Sequence, residues 1–271
     1  MITQATEHKA VLEVCEAAQD WGAEVTVLPV TPEGLVRVED VRAAIRSNTV
    51  LVSVMTANNE VGAIQPIRAI AELCRERKLV CHTDAAQSAG KLEFSLKDTP
   101  IDLISLSGHK LYGPKGVGAL IVRPVNREFE LKPILFGGEQ ERGLRPGTLN
   151  VAGIVGFGEA CAAAGEVLSE ECARLRSWQE RIVREVRSRF PQVKLNGPEP
   201  GASRLCNNIS FSFPDIHADD LMLELSGLAY SSGSACNSAN PKPSHVLKAM
   251  GADDNLAGHA EARNGALYDL R

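Results

Sequence analysis

Apolar positions in the first half of the chain alternate between a helical period and short continuous runs. The helical period predicts helices over Glu7–Trp21 and Glu39–Ser47 and a third helix that begins at Pro66. The shorter runs predict strands at Ala23–Val30, Thr49–Met55, Leu79–Thr83, Ile101–Leu106 and Gly116–Val122. Because helices and strands alternate, the strands are expected to form a largely parallel sheet.

The second half of the chain has a different composition. Val151–Arg189 is rich in alanine, glutamate and arginine and predicts one long helical stretch, with Gly165 as a candidate break. Further elements are predicted as strands at Gln192–Leu195 and Asn208–Phe213 and a helix at Ala218–Leu225. We therefore expect an α/β protein with a large domain over residues 1–150 and a smaller α+β domain over residues 151–271.

Composition and charge narrow the class of protein. The 271 residues are 44% hydrophobic and carry a formal net charge of −5, without the clustered basic residues of a nucleic-acid-binding surface. Continuous apolar runs such as Thr49–Met55 are far shorter than the ~20 residues of a membrane-spanning helix, and the N-terminus shows no secretory signal. The seven cysteines form no Cys-x-x-Cys pair, which favours reduced thiols over disulfides or a zinc site. These features predict a soluble cytoplasmic enzyme that binds neither nucleic acid nor membrane.

Polar clusters follow three successive predicted strands. They are Asn58-Asn59-Glu60, Asp84-Ala85-Ala86-Gln87 and Ser107-Gly108-His109-Lys110. In an open parallel sheet, ligands bind beyond the carboxyl ends of the strands, so the three clusters are expected to share one site.

The residue types in these clusters suit pyridoxal phosphate. An aspartate such as Asp84 can keep the pyridine nitrogen of this cofactor protonated, and a lysine such as Lys110 can carry the cofactor as a Schiff base. Ser107 and His109 are donors of the kind that a phosphate requires. Taken singly, Asp84 also fits a helix cap and Lys110 a solvated surface cation, and both interpretations stay open at this point.

A second centre is the run of small polar residues from Ser231 to Ala239, which contains Cys236. Such a run is typical of an exposed, mobile loop, whereas Cys74 lies on the apolar stripe of a predicted helix. An exposed thiol is suited to nucleophilic attack if its thiolate form is favoured. The composition leaves open whether Cys236 is catalytic or merely accessible.

Taken together, these motifs resemble those of the cysteine desulfurases, pyridoxal-phosphate enzymes of the class V aminotransferase group. The matching stretches occur in family order and are Thr6–Leu12, Asn58–Gly62, His82–Gln87, Ser107–Gly116, Gln140–Thr148, Ser231–Ser238 and Pro243–Leu247. The resemblance implies the fold-type-I pyridoxal-phosphate architecture, with a mostly parallel large domain and a smaller C-terminal domain.

The resemblance also implies a role for each matching residue. Lys110 corresponds to the Schiff-base lysine, Asp84 to the partner of the pyridine nitrogen, and Cys236 to the nucleophile that receives sulfur. His8 corresponds to the imidazole that stacks on the cofactor ring and relays protons. The other matching residues correspond to cofactor-binding positions. Asn59 and Gln87 correspond to residues near the phenolic oxygen, and Ser107 and His109 to ligands of the phosphate. Thr148 corresponds to a phosphate ligand that the neighbouring subunit of a homodimer donates.

The activity implied by the resemblance is transfer of sulfur from L-cysteine to Cys236 as a persulfide, with release of L-alanine. A scaffold or other sulfur-acceptor protein would take the sulfur for iron–sulfur cluster assembly or another sulfur-transfer pathway. The resemblance implies no resident metal, and Cys236 would contact an iron–sulfur cluster only transiently. Two alternatives are a related selenocysteine lyase and a non-catalytic relative that acts by binding.

The sequence departs from the family pattern near both ends. A considerable family segment precedes the position of His8 and is expected to be missing here, so the expected cytoplasmic location leaves a mitochondrial one open. After Asp254–Ala257 the pattern is lost, and Arg263 lies outside the motif that holds the arginine for the substrate carboxylate. Glu139 also replaces the third glycine of a Gly-Gly-Gly run. From these departures we expect weak or no alanine release by the 271-residue chain.

Overall fold

The computed structural model describes residues 1–93, 95–123, 129–217 and 244–252 and the strand His259–Arg263. The first half of the chain forms a six-stranded sheet. Its strands are β1 (Ile2–Gln4), β2 (Thr26–Leu28), β3 (Leu51–Ser53), β4 (Val80–Asp84), β5 (Leu103–Ser107) and β6 (Gly118–Val122). They lie in the order β2-β1-β3-β4-β5-β6. Strands β1 to β5 are parallel and β6 is antiparallel to β5, which confirms the predicted mostly parallel sheet.

Three helices connect these strands, α1 (Lys9–Asp20), α2 (Val38–Ala44) and α3 (Ile67–Glu76). Each corresponds to a predicted helix, with ends that shift by a few residues. Helix α3 begins directly after Pro66, which fits a proline at a helix start. Its buried side chains repeat at helical spacing and include Ile67, Ile70, Ala71 and Cys74. The apolar stripe that the sequence predicts for this helix is therefore confirmed.

The sequence pattern does not predict β1. The strand has three residues, and two of them, Thr3 and Gln4, are polar although both are fully buried. It lies between β2 and β3, and all three of its residues are buried. The apolar core around the sheet is formed by side chains of its strands and helices, among them Ile2, Val52, Ile70, Cys81 and Ile104. Burial of β1 is thus a consequence of the tertiary fold and leaves no apolar signature in the sequence.

The second half begins with one helix, α4 (Val151–Arg189), which is continuous through Gly165. The candidate break at Gly165 is therefore wrong. The N-terminal half of α4 packs closely on the loop after β5, because small residues face each other there. A Cβ at Gly156 would lie 2.8 Å from Pro114 Cγ, and one at Gly113 would lie 3.1 Å from Ala160 Cβ. This contact fixes the helix against the loop that carries Lys110.

By length and composition alone, α4 is also long and apolar enough to cross a membrane. The sequence-based expectation that apolar segments are too short to cross a membrane rested on continuous runs such as Thr49–Met55. It is wrong for α4, which is apolar mainly through alanine, glycine and valine. The C-terminal half of the helix is rich in glutamate and arginine and buries Gln179 and Val183 against the rest of the chain. Only 11% of the apolar window of α4 is buried by the described residues.

A three-stranded antiparallel sheet follows α4. Its strands are β7 (Lys194–Leu195), β8 (Ser210–His217) and β9 (His259–Arg263), in that order. Strands β7 and β8 match predicted strands, and β9 places Arg263 opposite Ser210. A short helix, α5 (His245–Ala249), precedes β9. The predicted helix Ala218–Leu225 lies outside the described residues.

Candidate active site

The carboxyl ends of β4 and β5 bring two of the predicted polar clusters to one edge of the sheet, and the loop after β3 adds the third. The backbone N–H of Thr56 donates to the carbonyl of Asp84 (2.9 Å), and the N–H of Ala85 donates to the carbonyl of Ser105 (2.9 Å). These bonds keep the chain segments paired up to the point where the clusters begin. Asp84 ends β4 and Ser107 ends β5, so the predicted cofactor residues lie on neighbouring strands.

Lys110 lies on a 3₁₀ turn, Gly108–Leu111, directly after β5. The turn is tight, because a Cβ at Gly108 would lie 3.0 Å from the carbonyl oxygen of Val117. It ends at Tyr112, which adopts a left-handed conformation with φ of 62°. Lys110 is half-buried, which differs from the environment of a fully solvated surface cation.

A second lysine supports this turn. The ammonium of Lys91 donates to the backbone carbonyl of Lys110 (3.1 Å), and the thiol of Cys172 on α4 donates to the carbonyl of Lys91 (3.2 Å). Burial lowers the pKa of Lys91 to about 8, and the charge of Lys110 acts in the same direction. Lys91 therefore links the backbone of Lys110 to α4. The sequence pattern does not single out Lys91, because its burial depends on the position of that helix.

Asp84 has a local role and an open oxygen. Its Oδ1 accepts a hydrogen bond from the backbone N–H of Ala86 (2.9 Å), as in the capping interpretation. Its Oδ2 accepts no hydrogen bond from the described residues, and the side chain is half-buried. The carboxylate can therefore serve the local turn through one oxygen and a ligand through the other.

Ser107 and His109 form a small polar pair beside Lys110. Ser107 Oγ and His109 Nδ1 lie 3.0 Å apart. Partial desolvation lowers the pKa of His109, and the charges of Lys110 and Lys115 lower it further. A neutral imidazole and a hydroxyl, next to two lysines, offer donors and positive charge to an anionic group.

His8 caps the N-terminus of α1. The backbone N–H of Ala10 donates to His8 Nδ1 (3.2 Å), so Nδ1 is an acceptor and the neutral ring carries its proton on Nε2. The ring is half-buried. On the other side of this turn, Nε2 of His245 donates to the carbonyl of Glu7 (3.0 Å). Helix α5 is thereby joined to the segment that holds His8.

Glu7, next to His8, is a fully buried carboxyl group. Its Oε1 accepts hydrogen bonds from Gln4 Nε2 (3.0 Å) and from the backbone N–H of Met55 (2.5 Å), while its Oε2 has no partner among the residues that the structure describes. Burial raises the pKa of Glu7 to about 8, the two hydrogen bonds oppose the shift, and the charge of Asp84 adds to it. Glu7 therefore keeps its proton at neutral pH in the folded chain.

We predict that Glu7→Gln removes a loss of stability that the wild-type chain suffers as pH rises. The folded state binds a proton at Glu7 between its unfolded pKa of 4.5 and about 8, and the unfolded state does not, so wild-type stability falls through this window. Urea unfolding gives the free energy of unfolding of both chains at the two ends of this window. From the acidic to the alkaline end, the free energy of unfolding of Glu7→Gln should rise by about 2–4 kcal/mol relative to that of wild type. The matched control is Glu13→Gln, an exposed carboxyl on α1. Equal pH dependence in wild type and Glu7→Gln would contradict the prediction.

The loop that carries Asn59 is held from a distant part of the chain. Asn208 Nδ2 donates to the carbonyl of Glu60 (3.0 Å), and the N–H of Leu205 donates to the carbonyl of Gly62 (2.9 Å). Ser244, which caps α5, donates to the buried carboxylate of Glu60. These contacts span well over a hundred residues, so no local sequence signal indicates them.

The remaining predicted site residues take different positions. Asn59 and Gln87 are half-buried beside the strand ends, whereas Thr148 is exposed just before α4. Cys236 lies outside the described residues. Among the described residues, no group of three or more His, Cys, Asp or Glu side chains is arranged to hold a metal ion. The cofactor roles of Asn59, Gln87 and Thr148 stay predictions.

Comparison with known proteins places these features in a family. Residues 1–256 match the family of class V aminotransferases. The chain is 47% identical over 253 residues to the cysteine desulfurase IscS of Clostridium botulinum, a match that covers 93% of this chain and 63% of that relative's length. Among solved structures, a NifS-like protein has a TM-score of 0.87 at 36% identity, and the match covers 100% of this chain and 70% of the NifS-like chain. SspA in complex with cysteine has a TM-score of 0.80 at 39% identity, with coverages of 97% and 72%.

A mostly parallel sheet with a lysine and an aspartate at the ends of neighbouring strands defines an α/β protein with a site for a small molecule. The chain belongs to the class V aminotransferase family. The predicted fold class and the resemblance to the cysteine desulfurases are thereby confirmed. The chain spans 63% of the length of the IscS relative.

Proposed function

We propose that this chain carries the site of a cysteine desulfurase, which transfers sulfur from L-cysteine to Cys236 as a persulfide and releases L-alanine. The observation that carries the proposal is the placement of Lys110 on a tight turn beside Asp84, at the ends of adjacent strands. The 47% identity to a protein named cysteine desulfurase supports the reaction, and the complex of SspA with cysteine supports the substrate.

The donor set of the site fits pyridoxal 5'-phosphate as cofactor. Lys110 offers the amine for the aldehyde, Asp84 Oδ2 is open for the pyridine nitrogen, and the Ser107–His109 pair offers donors to the phosphate. When bound, this cofactor supplies an electron-accepting ring that stabilises negative charge on the substrate's α-carbon.

The protein's own groups would orient the reactants and move protons. Asp84 would bind the pyridine nitrogen through its open oxygen, and Lys110 would accept and return a proton through its amine. His8 holds its proton at Nε2, the nitrogen that the helix cap leaves available. Asn59 and Gln87 would bind the phenolic oxygen of the cofactor.

Cys236 would attack the sulfur of the substrate as a thiolate. Its sulfur forms a bond to the substrate sulfur, the bond between that sulfur and the β-carbon breaks, and the electron pair of the broken bond passes to the substrate carbon. The persulfide would then pass its outer sulfur to a scaffold or other acceptor protein for iron–sulfur cluster assembly or a related pathway. Movement of the loop would separate capture of the sulfur from its delivery.

A homodimer is part of the same proposal. Thr148 is exposed, and so are apolar side chains on both sides of it in sequence, among them Phe136 (83%), Val151 (66%) and Val155 (66%). A neighbouring subunit would cover this apolar surface and receive Thr148 as a phosphate ligand. We also propose the division into domains 1–150 and 151–271 and a cytoplasmic location.

The test is a single-turnover reaction of the chain with pyridoxal phosphate and either L-cysteine or selenocysteine, followed by quantification of alanine. We expect weak but measurable alanine release from L-cysteine, in line with the activity that the sequence predicts. A visible cofactor band without alanine from either substrate would contradict the desulfurase and leave a cofactor-binding relative. Alanine from selenocysteine alone would indicate the lyase.

A further inference from the structure

His82 on β4 connects three parallel strands next to the candidate site. It lies two residues before Asp84, so both side chains project from the same face of the sheet. His82 Nδ1 lies 2.8 Å from Ser53 Oγ on β3, and Nε2 lies 2.9 Å from Ser105 Oγ on β5. Both ring nitrogens therefore have a partner on a neighbouring strand.

Ser105 is also a close neighbour of Asp84. The two residues are register partners on adjacent parallel strands, which places their side chains side by side. The hydroxyl of Ser105 bonds to His82. Asp84 Oδ2 accepts no hydrogen bond from the described residues. Without the imidazole, the hydroxyl of Ser105 would be free to turn towards this oxygen.

Resting on the proposed function, we propose that His82 is a positioning residue for Asp84, which holds the hydroxyl of Ser105 and so keeps Asp84 Oδ2 open for the pyridine nitrogen of the cofactor. The role requires a neutral ring, because a neutral imidazole has one donor and one acceptor and satisfies both serines in opposite senses. An imidazolium would attract the carboxylate of Asp84 and compete with the cofactor for it.

The surroundings of His82 favour the neutral ring. Burial lowers the pKa of His82 from its ordinary value, and the charge of Asp84 opposes that shift. Strands β3 and β5 present the uncharged hydroxyls of Ser53 and Ser105 to the ring. Among the described residues, Asp84 is the charged group that acts on the His82 ring.

The proposal is tested by cofactor affinity in four forms of the full chain, namely wild type, His82→Ala, Ser105→Ala and the double variant. Titration with pyridoxal phosphate is followed by the visible absorption of the bound cofactor. We expect His82→Ala to bind about tenfold more weakly, because Ser105 then occupies Asp84. The double variant should return to within about threefold of Ser105→Ala, since the competing hydroxyl is gone. A double variant as weak as His82→Ala would overturn the proposal, because a purely structural loss is not rescued by removing Ser105.

A second measurement uses His82→Asn, which fills much of the same volume and cannot become cationic. Wild-type cofactor affinity should fall as pH decreases through the lowered pKa of His82, because the imidazolium then pairs with Asp84. His82→Asn should lack this loss, and a wild-type pH profile in the variant would contradict the role of His82. A wild-type chain that develops no cofactor band at any pH would instead overturn the proposed function, and this inference with it.

Discussion

Lys110→Ala should abolish the visible absorption band that the wild-type chain develops with pyridoxal phosphate. The band requires a Schiff base, and Lys110 supplies its amine from the turn beside Asp84. The neighbouring amine of Lys91 is half-buried and donates a hydrogen bond to the backbone carbonyl of Lys110, so it does not replace the lost group. We expect cofactor affinity to fall by about 100-fold or more, equivalent to ~2.7 kcal/mol.

The control for this experiment is Lys97→Ala, which removes an exposed lysine from the same half of the chain. It should leave the band unchanged. Borohydride reduction of the wild-type complex, followed by peptide mass spectrometry, should locate the cofactor on Lys110. A label chiefly on Lys91, or an unchanged band in Lys110→Ala, would contradict the proposed role of Lys110.

Cys236→Ser should abolish formation of a protein persulfide. Three of the other cysteines are poor nucleophiles for physical reasons. Burial raises the pKa of Cys15, and burial together with Cys206 raises the pKa of Cys172 to about 12. The pKa of Cys81 is raised by the hydrogen bond to Cys74 and by burial. Thiols with raised pKa values hold little thiolate at neutral pH, and the thiolate is the attacking species.

The measurement is intact-protein and peptide mass spectrometry after a short exposure of the cofactor-loaded chain to L-cysteine. Wild type should gain one sulfur atom on Cys236, and Cys236→Ser should gain none. Cys161→Ser is the matched control, because Cys161 is an exposed cysteine on α4. Sulfane sulfur found chiefly on Cys161 would contradict the proposed role of Cys236.

Much of the site could be predicted because its residues follow strands in sequence. Asp84 comes directly after a predicted strand and Lys110 lies four residues after the end of another, and parallel strands bring their carboxyl ends to one edge. Their local environments could not be predicted in the same way. Lys110 is half-buried, and the loop that follows its turn packs against Gly156 of α4, a contact between segments distant in sequence.

The environments of two further residues, Glu7 and His82, have no sequence signal. The burial of Glu7 comes from β1 and from Met55, which is 48 residues away in sequence. His82 belongs to a matching motif, yet its bonds to Ser53 and Ser105 depend on the register of three strands. A polar residue on a strand has the same sequence signature whether it lies in water or in a hydrogen-bonded interior.

The sequence by itself determined the order of helices and strands, the parallel sheet, the family and the residues that would carry cofactor chemistry. Apolar period and motif spacing are local properties, and both survive in a single sequence. Only the tertiary structure decided that α4 is continuous and packs on the Lys110 loop, that Glu7 holds a proton and that His82 contacts both Ser53 and Ser105. These features arise from desolvation and from contacts between residues distant in sequence, which local patterns do not encode.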